Sequence, residues 1–289
     1  MAPVHKVAAK VQDERFADLG TPRRIWAISA INGATPQLAA LHDMLANEFL
    51  PGDRLVYTGN YLGAAQADAS ALDEIISFRR FLLAMPGMVI DDIVYLRGMM
   101  EEMWHKLLQL QFCPNPAEVL DWMEGFGIGN ILAAYGSSLA EARIYLRDRP
   151  LGVMKWTNRL RAARRAAPAH EIFAGVLKRA AFTREISGAP GPLLFVHAGL
   201  DPRLPLSQQN DQFWWGWRHY EAIGQQGFAP FSRVVRGCSP AGACVNTDGT
   251  ALTLDAGAGR GGELLLTLFD GVDPARRSCY GQVMGQWGF

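Results

Sequence analysis

At 289 residues and 49% apolar content, the chain can bury one large core or two small ones. Its 28 Lys and Arg balance 28 Asp and Glu, which excludes a whole-molecule attraction to polyanions or membrane surfaces. No apolar run approaches the roughly 20 residues of a membrane-spanning helix, and the leading MAPVHKVAAKVQDERF lacks the apolar centre of a secretory signal, so a cytoplasmic protein is expected.

Residues 1–22 read as an N-terminal extension. RRIWAIS is then a short β-rich run, and TPQLAALHDMLANEF follows with Leu38, Leu41 and Leu45 at helical spacing. DRLVYTG repeats the strand pattern before the amphipathic ASALDEIISFRRFLLAM, and DIVYLRG precedes MMEEMWHKLLQLQ. Three consecutive βα units imply parallel pairing, with the loops SAINGA, TGNYLGAA and RGMMEE gathered in one crevice at the strands' carboxyl ends. From about 103 to 190 the pattern turns helical, through PAEVLDWMEGF, GSSLAEARIYLRDR, WTNRLRAARRAA and AHEIFAGVLKRAAF. Strands return as PLLFVHAG, FSRVVRG, GTALTLDAG and GELLLTLFD, the last two read as a hairpin across AGRGG. Cys113, Cys238, Cys244 and Cys279 are too few and scattered for a disulfide framework or zinc ribbon, so buried thiols are expected.

These blocks resemble, in order, the calcineurin-like metallophosphoesterases. The likeness is greatest to the bacterial branch joining serine/threonine phosphoprotein phosphatases to symmetrical diadenosine-tetraphosphate hydrolases. That family runs G-D-x-H-G, G-D-x-x-D-R-G, G-N-H-E, a helical insertion, H-A-G, G-H-T-P and an inner D-T-G-A hairpin. Here IWAISAINGA, DRLVYTGNYLGAA and IVYLRGMMEEM stand for the first three blocks, and LLFVHAGLDPRLPLSQQ, VVRGCSP and LDAGAGRGGELLLTL for the last three. DWMEGFGIGNILAAYG resembles the W…GG…SYG stretch of the insertion. The resemblance implies an α/β fold, a metallophosphoesterase-like α/β/β/α sandwich of two mixed sheets. Its domain spans 23–270, with the helical insertion at about 103–190 and a tail at 271–289.

Members of the family hold two divalent metals such as Mn, Fe or Zn, which activate a bridging hydroxide while a histidine protonates the leaving oxygen. Carried over position by position, the first carboxylate is Ala30, the first imidazole Asn32 and the bridging carboxylate Asn60. The asparagine ligand is Met99, and the acid beside it is Met100, which has no proton to give at any pH. The aspartate and arginine of D-R-G are Gly63 and Ala64, and the last histidine is Cys238. His197 alone matches a ligand position, with Arg97 and Glu101 retained beside the lost acid. Disturbing even an outer partner of a metal costs about 10 to 100-fold, so no cofactor and no catalysis are expected. The implied protein is a pseudo-phosphatase that binds a protein partner or phosphorylated ligand. Two alternatives are a weak metal-dependent phosphoesterase, of protein-phosphatase or dinucleotide-hydrolase type, and a nucleotide-binding module.

Several residues carry a sharp and a bland reading. His197, Cys238 and Asn60 form either a soft metal site or a structural histidine beside an idle thiol. Cys238 is either activated by Arg236 or buried and inert, and a bridge to Cys244 is the remaining alternative. Arg97, Arg236 and Arg260 either clamp phosphate together or pair with carboxylates such as Glu101. Residues 149–184 hold nine Lys or Arg against Glu171 alone. That run, with Arg159, Arg161, Arg164 and Arg165 at its centre, is either a solvated helix face or a dock for an acidic partner. Beyond Trp156 and Phe182, aromatic stacking residues are not interleaved with the basic ones there, which argues against nucleic acid. QFWWGWRHY, at 212–220, reads as packing rather than a ligand box.

Overall fold

The strand β2 (Arg24–Ile28) is apolar along its whole length because both of its faces are covered. Ile25 and Ala27 belong to the core between two sheets, whereas Trp26 and Ile28 join the core beneath the helices. The computed structural model describes residues 13–63, 67–184, 191–270 and 277–280, with Arg149 and the last four by backbone alone. One sheet has the order β11 (Arg277–Tyr280), β10 (Leu266–Asp270), β2, β3 (Arg54–Tyr57), β4 (Ile93–Tyr95). The other runs β1 (Phe16–Asp18), β5 (Ala180–Phe182), β6 (Leu193–Val196), β7 (Arg233–Arg236), β9 (Ala251–Asp255), β8 (Cys244–Asn246). Val56, Val94, Phe195, Val235, Leu254 and Phe269 fill the space between them, with Phe195 edge-on to Phe269 at 5.5 Å.

As the repeated βα pattern predicts, β2, β3 and β4 pair in parallel, with Trp26 opposite Leu55 and Val56 opposite Val94. The connecting helices are α1 (Thr35–Glu48), α2 (Ser70–Leu83) and α3 (Met99–Leu107). The insertion follows as α4 (Pro116–Gly125), α5 (Ile128–Ala134), α6 (Leu139–Arg147), α7 (Arg149–Arg165) and α8 (Pro168–Gly175). Ahead of β7, α9 (Gln212–Trp215) and α10 (Tyr220–Gln226) come from the aromatic QFWWGWRHY run. Its rings are structural: Phe213 and Trp214 are buried, and the Tyr220 hydroxyl donates to the carbonyls of Val234 and Leu252. The result is the α/β sandwich of two mixed sheets that the resemblance implies. No helix among the described residues is long and apolar enough to cross a membrane.

Long-range pairing departs from the sequence reading in four places. The helical reading of AHEIFAGVLKRAAF holds only to Gly175, after which the chain becomes β5, parallel to β1 and antiparallel to β6. Lys178 donates its N–H to Tyr95 and accepts one from Arg97, so tertiary hydrogen bonds override a sequence with good helix propensity. Residues 1–22 are not simply an extension, because Phe16–Asp18 supply β1 and Phe16 packs against Phe213. The expected hairpin fails: β9 and β10 belong to different sheets, the segment between them makes isolated bridges from Ala256 and Gly257 to Glu263, and the antiparallel partner of β9 is β8. Finally, the tail from 271 onward contributes β11, antiparallel to β10.

Candidate functional site

The positions that the resemblance assigns to the metal site lie just past the carboxyl ends of strands. Ala30 and Asn32 follow β2, Asn60 follows β3, and Arg97 to Glu101 follow β4. His197 follows β6 and Cys238 follows β7. The two sheets are stitched together here: Ala30 donates its N–H to Gly237, and Cys238 and Gly237 both donate to the carbonyl of His197. The loops touch backbone to backbone. A Cβ on Gly98 would stand 2.2 Å from the amide nitrogen of Asn60, and Gly59, at φ 103°, lies against Gly98 and the His197 ring.

Asn32 and Asn60 both adopt left-handed backbone, at φ 51° and 54°, a conformation asparagine tolerates better than most residues. Their side chains bond to each other. Asn60 Nδ2 donates to Asn32 Oδ1 at 3.0 Å, Asn32 Nδ2 donates to the carbonyl of Ala258, and Asn60 Oδ1 accepts the N–H of Met100 at 3.0 Å. Both amide oxygens are therefore committed to donors inside the protein. Glu101 is held by backbone as well, accepting N–H groups from Asn60, Gly98 and Tyr61 at 2.8–2.9 Å. Burial pushes its carboxyl above the usual range against the pull of those donors.

His197 is fully buried and donates Nδ1–H to the carbonyl of Thr58 at 2.6 Å. Burial lowers its pKa to about 4, so the ring is neutral at pH 7 and its Nε2 carries a lone pair. That atom has no partner among the described residues. Cys238, packed with Ala30 and Ala198, has its thiol pushed up to about 12 by burial, and Asn60 Nδ2 lies 3.9 Å from its sulfur. Burial of Cys238 favours the inert-thiol alternative, since desolvation of the thiolate opposes the pull of Arg260 and Arg236. The bridge alternative falls, with Cys238 buried and Cys244 an exposed free thiol.

A pair of divalent cations needs several anionic or imidazole donors converging on it. Among the described residues no three His, Cys, Asp or Glu side chains converge anywhere. At the positions that match the family's metal ligands, Ala30 and Met99 offer no hard donor, Asn32 and Asn60 offer neutral amide oxygens that each already accept a hydrogen bond, and Cys238 is a soft donor buried against Ala30 and Ala198. Only His197 Nε2 is free, so the donor set does not fit the family's two metals.

The three candidate phosphate-binding arginines do not form one clamp. Arg97 pairs with Glu102 at 3.0 Å, not with Glu101. Arg236 is buried over the ring of Tyr220 at 4.2 Å, bonds to Thr253, and faces Glu221 at 3.8 Å. Arg260 donates to Asp255 at 2.7 Å. The basic stripe of α7 is also largely used internally. Arg159 binds Glu141 and the carbonyl of Gly136, Arg161 binds Asn158 and the carbonyl of Leu108, and Arg164 binds Glu171, while Arg165 stays exposed. Gly63 lies beside Asn32, and Ala64 lies outside the described residues. Sequence reasoning missed Thr58, Ala258 and Glu102. The first two act through backbone carbonyls and leave no signal in residue type.

No protein-family model matches the chain, and no curated protein matches it at a significant level. Solved structures do. One is a protein serine/threonine phosphatase from Saccharomyces cerevisiae with similarity to human phosphatase PP5, at TM-score 0.51 and 10% identity, over 93% of this chain and 84% of that one. Another is described as a diadenosine tetraphosphatase, at TM-score 0.49 and 15% identity, over 93% and 99%. A third is a cold-active protein-tyrosine phosphatase of a psychrophilic Shewanella species, at TM-score 0.45 and 13% identity, over 92% and 83%. The yeast phosphatase carries the comparison: the fold is that of the calcineurin-like metallophosphoesterases. Identity this low speaks to fold and not to activity.

Proposed function

We propose that this chain is a pseudo-phosphatase, a phosphoesterase fold without hydrolytic activity that acts in the cytoplasm by binding a protein partner or a phosphorylated ligand. One observation carries the reading: Asn32 and Asn60, which stand where the family has metal-binding groups, bring only neutral amide oxygens, and these already accept, that of Asn32 from Asn60 Nδ2–H and that of Asn60 from the Met100 N–H. With those groups goes the means of lowering the pKa of a bound water toward about 7. Met100, in place of the acid, adds a second loss, since a missing general acid costs about 100 to 10,000-fold on its own. Between the two kinds of ligand, a protein partner is the better supported. Arg97, Arg236 and Arg260 each face a carboxylate already, while Phe112, Ile144, Leu151 and Ile172 of the insertion stand exposed.

The test is hydrolysis of p-nitrophenyl phosphate with added Mn²⁺. No turnover above background is expected, and turnover comparable to an authentic member of the fold overturns the reading. A second reading, a weak metal-dependent phosphoesterase, is favoured by the free Nε2 of His197. It requires stoichiometric metal in protein purified without chelators, and loss of both metal and activity in His197→Ala.

A further inference from the structure

The outer side of α6 and α7 sets exposed apolar side chains among cations that the protein leaves unpaired. The two helices form an antiparallel hairpin, registered by Arg159 on Glu141 and by the Trp156 indole, which donates to Ser137 at 2.9 Å. Val153, Trp156, Thr157 and Leu160 turn one side of α7 into the protein and are buried. The opposite side carries Leu151, Met154, Lys155, Asn158, Ala162 and Arg165, at the three- and four-residue spacing of one helical face, and all six are exposed. Arg159 and Arg161, two residues apart, lie on opposite flanks of α7; the first binds α6 and the second the carbonyl of Leu108, just before the turn Leu110–Phe112. Ile144 of α6 is 61% exposed, Leu151 65%, Met154 41% and Phe112 80%. Four large apolar side chains therefore frame one helical surface, where single scattered ones would need no explanation.

The charge around this strip is mostly of one sign. Arg147, Lys155 and Arg165 are exposed and make no ion pair among the described residues, whereas Arg143 is held by Asp121 and Glu124. The acid standing free beside them is Asp148, since Glu141 is occupied by Arg159 and Ser137. A net positive rim around an apolar strip complements a ligand that is apolar along one side and negative at its margins. The backbone groups of α6 and α7 are bonded within the helices, so this surface has no edge to which a strand could be added. A third helix laid along the strip fills it by packing ridges into grooves. From Leu151 to Arg165 the strip runs about 21 Å at 1.5 Å per residue, roughly four helical turns.

We infer that the outer face of α6 and α7 docks an amphipathic helix of a protein partner. The partner's apolar residues lie against Ile144, Leu151, Met154 and Phe112, and its acidic residues stand beside Arg147, Lys155 and Arg165. This names the kind of partner for the binding role proposed above and rests on that reading, but it uses none of the residues at the strand ends.

The test uses the full chain and three labelled peptides of about 20 residues, titrated by fluorescence anisotropy. One repeats leucine at three- and four-residue spacing among glutamates, the second sets the same leucines among lysines, and the third scrambles the first so that its leucines share no face. The glutamate peptide should bind saturably with a Kd on the order of 10 µM, and the other two at least about tenfold more weakly. Leu151→Ser combined with Met154→Ser changes two exposed positions and leaves the core intact, and should weaken the glutamate peptide at least about fivefold. Arg147→Glu combined with Lys155→Glu should turn the preference toward the lysine peptide. Both variants should keep the parent's circular dichroism. Absence of saturable glutamate-peptide binding, equal binding of the scrambled peptide, or binding untouched by either double variant would each overturn the inference. Binding of phosphatidylserine vesicles in place of the peptide, lost in the same variants, would also overturn it and assign the face to a lipid surface. Hydrolysis of p-nitrophenyl phosphate by the same protein reports separately: turnover together with peptide binding refutes only the loss of catalysis, and neither turnover nor peptide binding refutes only the dock.

Discussion

Asn60→Asp restores the carboxylate that the resemblance places at the bridging position, and the structure says it should damage the protein. The parent side chain donates to Asn32 Oδ1 at 3.0 Å. Aspartate has no N–H, so two acceptor oxygens would meet there, costing about 1–3 kcal/mol for the unsatisfied buried group. Asn60 is 2% exposed and its own backbone N–H is bound to Glu101, so a new charge would be desolvated beside an existing carboxylate. A rise of about two units in the pKa of the new aspartate adds about 3 kcal/mol at neutral pH. The sum, about 4–6 kcal/mol, corresponds to a fall in Tm of roughly 10 °C for a chain of this size. The sign with pH follows. Because the folded-state pKa is raised, the charge penalty is complete above it and disappears below about pH 4, where the side chain is protonated in both states. Scanning calorimetry of parent and variant at neutral and acidic pH should show the deficit shrinking to its hydrogen-bond part in acid. Millimolar Mn²⁺ should leave the variant's Tm unchanged, since Ala30, Asn32 and Cys238 add no anionic donor. A variant as stable as the parent, or one rescued by Mn²⁺, would refute the account of this site as a closed amide network.

Acid should also unfold the parent through its buried histidines. Burial holds His42 and His197 at about 4, against about 6.5 unfolded. The unfolded chain therefore takes up protons between those values, and stability complete above about pH 6.5 falls by about 3 kcal/mol per histidine toward pH 4. Urea midpoints across this range should show the loss, and a flat profile would mean that the rings are not buried neutral. Gly98→Ala places its Cβ 2.2 Å from Asn60 N and 2.5 Å from both Asn60 Oδ1 and Glu101 Oε2; it should cost more than about 3 kcal/mol or prevent folding. Gly125→Ala, with nothing within 4 Å of the new Cβ, is the control, expected to be neutral or stabilising by up to about 1 kcal/mol.

The alternation of strand and helix from Arg24 to Leu107 was legible because periodicity is a local property, and the parallel β2–β3–β4 sheet follows from it. The extremities of the sheets were not. Nothing in Phe16–Asp18 marks them as a strand until Ala180–Phe182 lies alongside, and β5 comes from a segment that locally favours helix. GTALTLDAG and GELLLTLFD have the look of a hairpin, and only the closure of two separate sheets sends them apart.

The same division holds at the site. Residue type alone determined that Ala30 cannot bind a cation, that Met100 cannot supply a proton, and that His197 keeps an imidazole, because these are properties of the side chains wherever they sit. Tertiary structure decided how the remaining groups are spent. The commitment of the Asn60 oxygen to Met100, the choice of Glu102 over Glu101 by Arg97, and the rise of the Cys238 thiol all depend on distances between segments up to 178 residues apart. Hydrogen-bond occupancy and desolvation are set by what folding brings within about 3 Å, and no reading of one segment at a time contains that.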